Sequence, residues 1–423
     1  MAEETYLSDE LVRQLTAVGE VDVLVGIPTY NNHSTVGKVV NAVQVGLVKY
    51  FPRERTALIN PDGGSKDGTT EAVKNSSIQD FRTLLSASPL RTIHRITTRY
   101  GAIEGGSGAF RIILAAADLL RAKACAIVSP DLESISPEWV ESLIRPVYRE
   151  KFDLVTPIYH RHKFDGLLVR NMIAPMIRAL YGVRIREPVG TEFGFSGQFA
   201  VHCLEQDVWQ GDLVRASTEI WMTTTAIVGG FKLCQSFLGP KIHAAKSSSQ
   251  DVVATIQNVV GTLFRCLEKQ EPYWTSKTDS QPAPIFGFEY SAGLEPRRLN
   301  RKKLLLMFRN GVEQLSPVLA SILSPETLQG IQKISQEEEK EFRFPDELWV
   351  NTVYEFAASY HHSVINRDHL LQALTPLYRG KICSVLLEDY RADAEQIERK
   401  TEELCLTYER LKPRLLEKWI RKA

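Results

Sequence analysis

Along the first two-thirds of the chain, short β-rich apolar runs alternate with longer stretches of helical period. Val21 to Ile27 reads as a strand, and Ser34 then offers an N-cap to a helical pattern at Val36, Val39, Val40, Val43 and Leu47. Arg55 to Asn60 fits a second strand. Arg91 to Thr97 and Ala124 to Ser129 fit two more, with a helix-like stretch from Gly108 to Arg121 between them. A Ser136-Pro137 helix start follows, Asp153 to Pro157 is a fifth strand, and Lys232 to Leu238 is a later one. This alternation predicts an α/β fold with right-handed crossovers and a mostly parallel sheet covered on both faces. Ligands are then expected at the carboxyl ends of its strands.

The pattern changes after about Phe264. Residues 269 to 300 are rich in Pro, Ser and Gly and read as a long connection. Beyond it the chain reads as helical. Ala394, Ile397, Leu404, Tyr408, Leu411 and Leu415 recur at intervals of an amphipathic helix, and the charge run Gln336 to Glu341 reads as a solvated helix face. The expected organisation is a lead at 1–20, a catalytic domain at 21–265, a connection at 266–300 and a helical region at 301–423. The helical region is expected to pack on the catalytic domain or on a second copy in a homodimer.

Bulk properties narrow the class. At 423 residues the chain exceeds the size at which one core usually stops growing. Fifty-one basic side chains balance 51 acidic ones, so charge offers no case for a nucleic-acid or acidic-membrane partner. The six cysteines form no CxxC pair and read as reduced, mostly buried thiols. The opening MAEETYLSDELVRQL lacks the basic-then-apolar order of a signal peptide, and no apolar run reaches the length of a membrane span, so a cytoplasmic location is expected.

Chemistry enters with two loops. After the first strand comes Pro28-Thr29-Tyr30-Asn31-Asn32, and after the second Asn60-Pro61-Asp62-Gly63-Gly64-Ser65-Lys66-Asp67-Gly68-Thr69. The glycines of the second let backbone turn tightly and approach a ligand, and Asp62 is placed to accept the N–H groups of uracil or guanine. Asp67 and Thr69 brace the turn and cap the following helix. An isolated DGGS turn would carry little; here a partner loop lies one unit earlier in an α/β pattern, and nucleotide binding is the better reading.

PTYNN followed by DGGSKDGT resembles the opening of the family-2-like GT-A glycosyltransferases, whose fold is Rossmann-like with a mostly parallel sheet sandwiched by helices. The resemblance implies that Pro28, Thr29, Tyr30, Asn31, Asp62 and Gly63 hold the donor nucleoside. It also implies a DxD-like motif at the end of strand four, holding a divalent ion against the diphosphate. The chain has Val128-Ser129-Pro130-Asp131-Leu132-Glu133 there: Asp131 matches the last aspartate and Ser129 replaces the first. A hard cation such as Mg²⁺ or Mn²⁺ needs only one or two protein ligands when diphosphate and water complete its shell.

The resemblance narrows at Arg186-Glu187-Pro188-Val189-Gly190-Thr191-Glu192-Phe193-Gly194-Phe195-Ser196-Gly197, and at Thr218-Glu219-Ile220 with His243 downstream. These segments are similar to retaining enzymes that make glucosylglycerate, glucosyl-3-phosphoglycerate and mannosylglycerate. By that pattern Asp131 and His243 are metal ligands and Glu219 lies near the acceptor. Gly106, Ser107 and Pro130 join the donor site, and Gly166, Arg170, Arg186, Gly190 and Thr191 the acceptor site.

Two departures stand out. A glycine-lysine-glycine turn of the relatives reads Gly105-Gly106-Ser107-Gly108 here, without the lysine. In the acceptor loop, Leu167 and Val169 stand where relatives carry arginine or threonine, leaving Arg170, Arg184 and Arg186 as candidates for an acceptor carboxylate. The expected reaction moves glucose or mannose from a UDP- or GDP-linked donor to glycerate or a similar hydroxy acid. The other readings are a glucosyl-3-phosphoglycerate or mannosylglycerate synthase, or a non-catalytic nucleotide-sugar-binding protein. A sugar nucleotidyltransferase would carry a glycine- and arginine-rich loop after strand one, and PTYNN is not one.

Overall fold

The computed structural model describes residues 7–76, 93–100, 107–209, 217–243, 252–289 and 299–420. Its strands, in chain order, are β1 (Val23–Gly26), β2 (Thr56–Asp62), β3 (His94–Arg99), β4 (Ala124–Ile127), β5 (Leu154–His160), β6 (Val183–Arg184), β7 (Phe193–Ser196), β8 (Leu233–Pro240), β9 (Gln281–Pro282) and β10 (Ile285–Phe286). The chain divides into two compact units, each assembled from three stretches. The first comprises Met1–His160, Val189–Ser247 and Ala283–Ala292, and the second Arg161–Pro188, Ser248–Pro282 and Gly293–Ala423.

The first unit is built on an eight-stranded sheet in the order β10-β8-β5-β7-β4-β1-β2-β3. Every pairing is parallel except the two that β7 makes with β4 and β5. All residues of β1, β2 and β4 are buried, which is why β1 and β4 read as continuously apolar rather than alternating, while β2 also buries the polar Thr56, Asn60 and Asp62. Helices His33–Tyr50, Ser107–Leu119 and Glu138–Tyr148 supply the crossovers. A core cluster joins Val23, Val25 and Ile27 to Val36, Val39, Val40, Val43 and Leu47 of the first crossover helix and to Trp139, Val140 and Leu143 of a later one.

Boundaries shift by a few residues from the sequence reading. The first crossover helix begins at His33 with Asn32 at its N-cap, not Ser34, because Asn32 is held by the loop that precedes it. Residues 91 and 92, expected to open the third strand, lie outside the described residues. Strand β7 was not anticipated: four residues with two glycine-flanked phenylalanines show no alternation to read.

The second unit is predominantly helical. From residue 301 onward it contains Arg301–Gln314, Ser316–Ile322, Pro325–Ser335, Asp346–His361, Arg367–Glu388 and Ala394–Ile420. The stretch read as a long connection follows helix Gly261–Lys269 and carries helix Glu271–Thr275 and the short strands β9 and β10. Trp274 drives this ordering: it is fully buried, donates to Leu267 O at 2.9 Å and packs edge-on against Trp419. The charge run at 336–341 is a turn rather than a helix face, since the helix ends at Ser335. Three consecutive glutamates oppose the negative end of a helix dipole, and the buried Phe342 and Phe344 draw the chain inward.

One irregularity in this unit follows from the sequence. Val169–Ile173 forms a π-helical turn running into Ala174–Tyr181. Pro175 has no N–H to give to the carbonyl of Asn171, so that carbonyl accepts instead from Trp349 Nε1 at 2.9 Å and Tyr408 Oη at 3.2 Å. Among the described residues, no helix is long and apolar enough to cross a membrane. All six cysteines are buried as thiols.

Candidate active site

In the first unit, the ends of β1 and β2 carry the two loops singled out by sequence, and the loops are stitched together. Thr29 pairs with Asp62 as an isolated parallel bridge beyond the strands. Asn31 N donates to Ser65 Oγ at 2.8 Å, Lys66 N to Asn31 Oδ1 at 3.0 Å, and Asn32 N to Thr69 Oγ1 at 2.8 Å. Asp67 accepts from His33 N and Thr69 N, the bracing role its position implied. Asn31 takes up a φ of 53°, a left-handed conformation that asparagine tolerates better than most residues.

Asp62 was expected to face the nucleobase, but its side chain is fully buried. Its carboxylate accepts from Thr29 Oγ1 at 2.8 Å, Ser65 Oγ at 2.6 Å, Gly64 N at 3.0 Å and Ser65 N at 2.8 Å. A carboxylate has about four acceptor positions, and the loop uses all of them. Asp62 is thereby engaged within the loop it shapes. The surface left above the loop is aromatic: Tyr30 is 64% exposed, and a Cβ on Gly63 would lie 3.0 Å from Tyr100 Oη and 3.4 Å from the Tyr30 ring. Tyr100 was missed in the sequence because it lies past the end of β3, outside both motifs. Asp62→Ala leaves the buried Ser65 amide and the Gly64 amide without their carboxylate partner and is expected to cost about 1–2 kcal/mol of stability while weakening nucleotide binding. Denaturant titration alongside calorimetry with UDP and GDP checks both effects, and a loss of affinity without a loss of stability would contradict the bracing role.

The second donor element follows β4. Thr35 Oγ1, in the first turn of helix His33–Tyr50, donates to Pro130 O at 2.8 Å and fixes the Ser129–Asp131 loop beside the first two. Ser129, in place of a first aspartate, donates to Asp131 Oδ1 at 2.6 Å and so orients the carboxylate it precedes. Across from it, Leu132 and His243 form an antiparallel bridge, and His243 Nδ1 lies 3.1 Å from Asp131 Oδ1. Adjacent ligands of an octahedral ion with bonds near 2.1 Å stand about 3 Å apart, so these two atoms fit neighbouring positions of one shell. Among the described residues, no group of three or more His, Cys, Asp or Glu is arranged to hold a metal. A divalent ion would therefore be shared with a ligand such as a diphosphate. Of the remaining donor candidates, Gly106 lies outside the described residues, and Ser107 opens its helix with a side chain that is likewise outside them.

On the β8-β5-β7 side of the sheet, a buried charged cluster gathers around Thr191, and of its members only Thr191 was a candidate from the sequence. Lys241 Nζ donates to Glu192 Oε2 at 2.7 Å, Thr191 Oγ1 at 2.8 Å and Tyr159 Oη at 3.2 Å. Glu192 also accepts from Thr191 Oγ1 and Tyr159 Oη. Lys241 and Glu192 side chains are 5% and 0% exposed. Burial pushes the Glu192 carboxyl up, but the Lys241 charge and these hydrogen bonds outweigh it and hold the group below its ordinary value. Glu219 is in the opposite state. Desolvation raises its carboxyl against hydrogen bonds from its own backbone N–H and from Ser217 Oγ at 3.1 Å, with Lys241 and Glu192 both within electrostatic range. Gly190 is fixed by packing, since a Cβ there would fall 2.2 Å from the Pro157 ring.

The other acceptor candidates belong to the second unit, and each has a protein partner there. Arg170 faces Asp389 at 3.7 Å, and Asp389 also pairs with Lys400 at 2.6 Å; desolvation lowers the Arg170 guanidinium despite Asp389. Arg184 Nε donates to Ser280 Oγ at 3.0 Å, and Arg186 pairs with Glu398 at 2.9 Å on the surface. Gly166 turns the chain at a φ of 64°, and Leu167 is buried in the apolar interior.

No protein-family model matches the sequence, and comparison with curated proteins gives no significant match. Among solved structures, the chain is similar to glucosyl-3-phosphoglycerate synthase from Mycobacterium tuberculosis in complex with phosphoglyceric acid. The two are 18% identical with a TM-score of 0.42, over 62% of this chain and 85% of that one. The same enzyme in complex with Mn²⁺, uridine diphosphate and glucosyl-3-phosphoglycerate gives 18% identity and a TM-score of 0.43, over 63% and 86%. Its complex with Mn²⁺, uridine-diphosphate-glucose and glycerol 3-phosphate gives 17% and 0.41, over 63% and 86%. Similarities this distant leave function to be decided by the chain's own residues.

Proposed function

We propose that the chain is a metal-dependent glycosyltransferase of GT-A architecture that moves a hexose from a nucleoside-diphosphate sugar to a small hydroxy acid such as glycerate, with retention at the anomeric carbon. The observation that carries this reading is the pairing of Asp131 with His243 at 3.1 Å, beside two interlocked loops at the carboxyl ends of β1 and β2. In an open α/β sheet that edge is where ligands bind. The exposed Tyr30 ring and the Tyr100 hydroxyl give the nucleobase a face and a polar contact, on a backbone that Asp62 holds rigid.

Asp131 and His243 would hold Mg²⁺ or Mn²⁺, and such an ion supplies charge neutralisation to a departing diphosphate. Ser129 keeps the Asp131 carboxylate aimed. Thr191 belongs to the same cluster and Glu219 lies within its electrostatic range, where its carboxyl, raised by desolvation, could hydrogen-bond a sugar or acceptor hydroxyl. In a retaining reaction a diphosphate oxygen can take the acceptor proton, so no separate base is required. Holding the two substrates in place contributes much of the rate enhancement.

The test incubates purified protein and Mg²⁺ or Mn²⁺ with a panel of UDP- and GDP-sugars and with glycerate or 3-phosphoglycerate, reading products by mass spectrometry. A glycosylated product with retained configuration supports the reading. Nucleotide binding without transfer or hydrolysis would favour a non-catalytic nucleotide-sugar-binding protein. Within the same panel, glycerate is expected to give a higher kcat/KM than 3-phosphoglycerate, by about tenfold. Leu167 and Val169 bring no cation to a phosphate, and desolvating one without charge-assisted partners is costly. Preference for the phosphorylated acceptor would overturn this choice.

A further inference from the structure

Lys241 spends all three of its N–H groups inside the protein, on Glu192, Thr191 and Tyr159, and is too buried to serve a ligand directly. A desolvated ion pair is an expensive way to hold two segments together, since a well-packed apolar pair often stabilises as well or better. What the pair adds is direction. Lys241 stands two residues before His243, in a strap whose other side is pinned to the Asp131 loop: Ile242 N donates to Ser134 Oγ at 2.9 Å and Glu133 N to Ile242 O at 2.9 Å. The strap is thus held from two sides, by the metal-facing loop and by the Gly190–Glu192 segment, with Lys241 as the tie to the latter.

We infer that Lys241, anchored on Glu192, Thr191 and Tyr159, is a positioning residue that holds the His243 imidazole at the angle and distance needed to share an ion with Asp131. The inference rests on the reading of Asp131 and His243 as metal ligands. Lys241 itself touches neither metal nor substrate.

Calorimetric titration of Mn²⁺ into protein saturated with UDP or GDP tests it in wild type, Lys241→Met, His243→Ala and the double variant. Misaligning one ligand is expected to weaken Mn²⁺ binding by about tenfold in Lys241→Met, in line with the loss of groups that orient ligands. The same substitution should add less than about twofold on the His243→Ala background, because the residue through which it acts is gone. Equal losses in the two backgrounds would show a merely structural role and overturn the inference, as would wild-type Mn²⁺ affinity in Lys241→Met. If Lys241→Met does not fold, Thr191→Val removes one acceptor while keeping both charges. Its expected loss is about threefold, again confined to proteins that retain His243, and no loss overturns the inference. A wild-type protein that binds no Mn²⁺ with either nucleotide refutes the metal reading and the inference together, whereas intact wild-type binding with unaffected variants refutes the inference alone.

Discussion

Lys241→Met is expected to cost about 3–5 kcal/mol of folding stability, because it leaves the Glu192 carboxylate buried and without its counter-charge. Glu192→Gln strands the ammonium in the same way and should fall in the same range. Joint replacement, Glu192→Leu with Lys241→Met, removes both charges and should recover most of the loss. Urea titrations of the four proteins read these differences directly. The pair also sets a pH dependence whose sign follows from the lowered Glu192 carboxyl. Its unfolded value is about 4.3, so the pair's stabilisation is fully present above that pH and disappears as pH falls through the lower folded value. Wild type should therefore lose stability more steeply than the double variant below about pH 4. Parallel acid unfolding curves for the two would rule out an ionised Glu192.

Asp131→Ala is expected to lower transferase kcat/KM by about two to three orders of magnitude, the scale on which single groups stabilising developing charge act. His243→Ala should fall nearly as far. In both, raising Mn²⁺ should restore part of the activity, since each removes one of the two proposed ligands and leaves the other in place. Ser129→Ala should have a smaller effect of the same kind, because Ser129 orients the carboxylate and does not replace it. Activity measured across a Mn²⁺ series distinguishes these outcomes, and a variant retaining the wild-type metal profile removes its residue from the site.

The alternation of strands and crossover helices was legible because β1 and β4 are buried on both faces and read as unbroken apolar runs. The loops after β1, β2 and β4 were legible because tight turns require Gly, Asn and Asp at fixed places. What stayed hidden was long-range. No spacing rule connects Tyr159, Glu192 and Lys241, which come from three separate stretches and meet only because β5, β7 and β8 are neighbours in the sheet. Asp62 illustrates a different limit. Its residue type and place suggested a carboxylate offered to a base, and only three-dimensional placement reveals that Thr29, Gly64 and Ser65 consume its acceptor capacity. Composition does not reveal the order within 269–300, since one buried tryptophan outweighs many prolines and serines when it has a place to pack.

Strand β10 lies more than forty residues after β8 along the chain, yet it closes the edge of the sheet beside it, where Gln235 N donates to Pro284 O at 2.8 Å. A nascent chain leaving the ribosome therefore carries an open, hydrogen-bond-hungry β8 until residues 283 to 286 have emerged. A fragment ending near residue 265, where hydrophobic periodicity first changes, would keep that edge exposed permanently. Such a fragment is expected to self-associate through β8, and to be rescued by extension past residue 286.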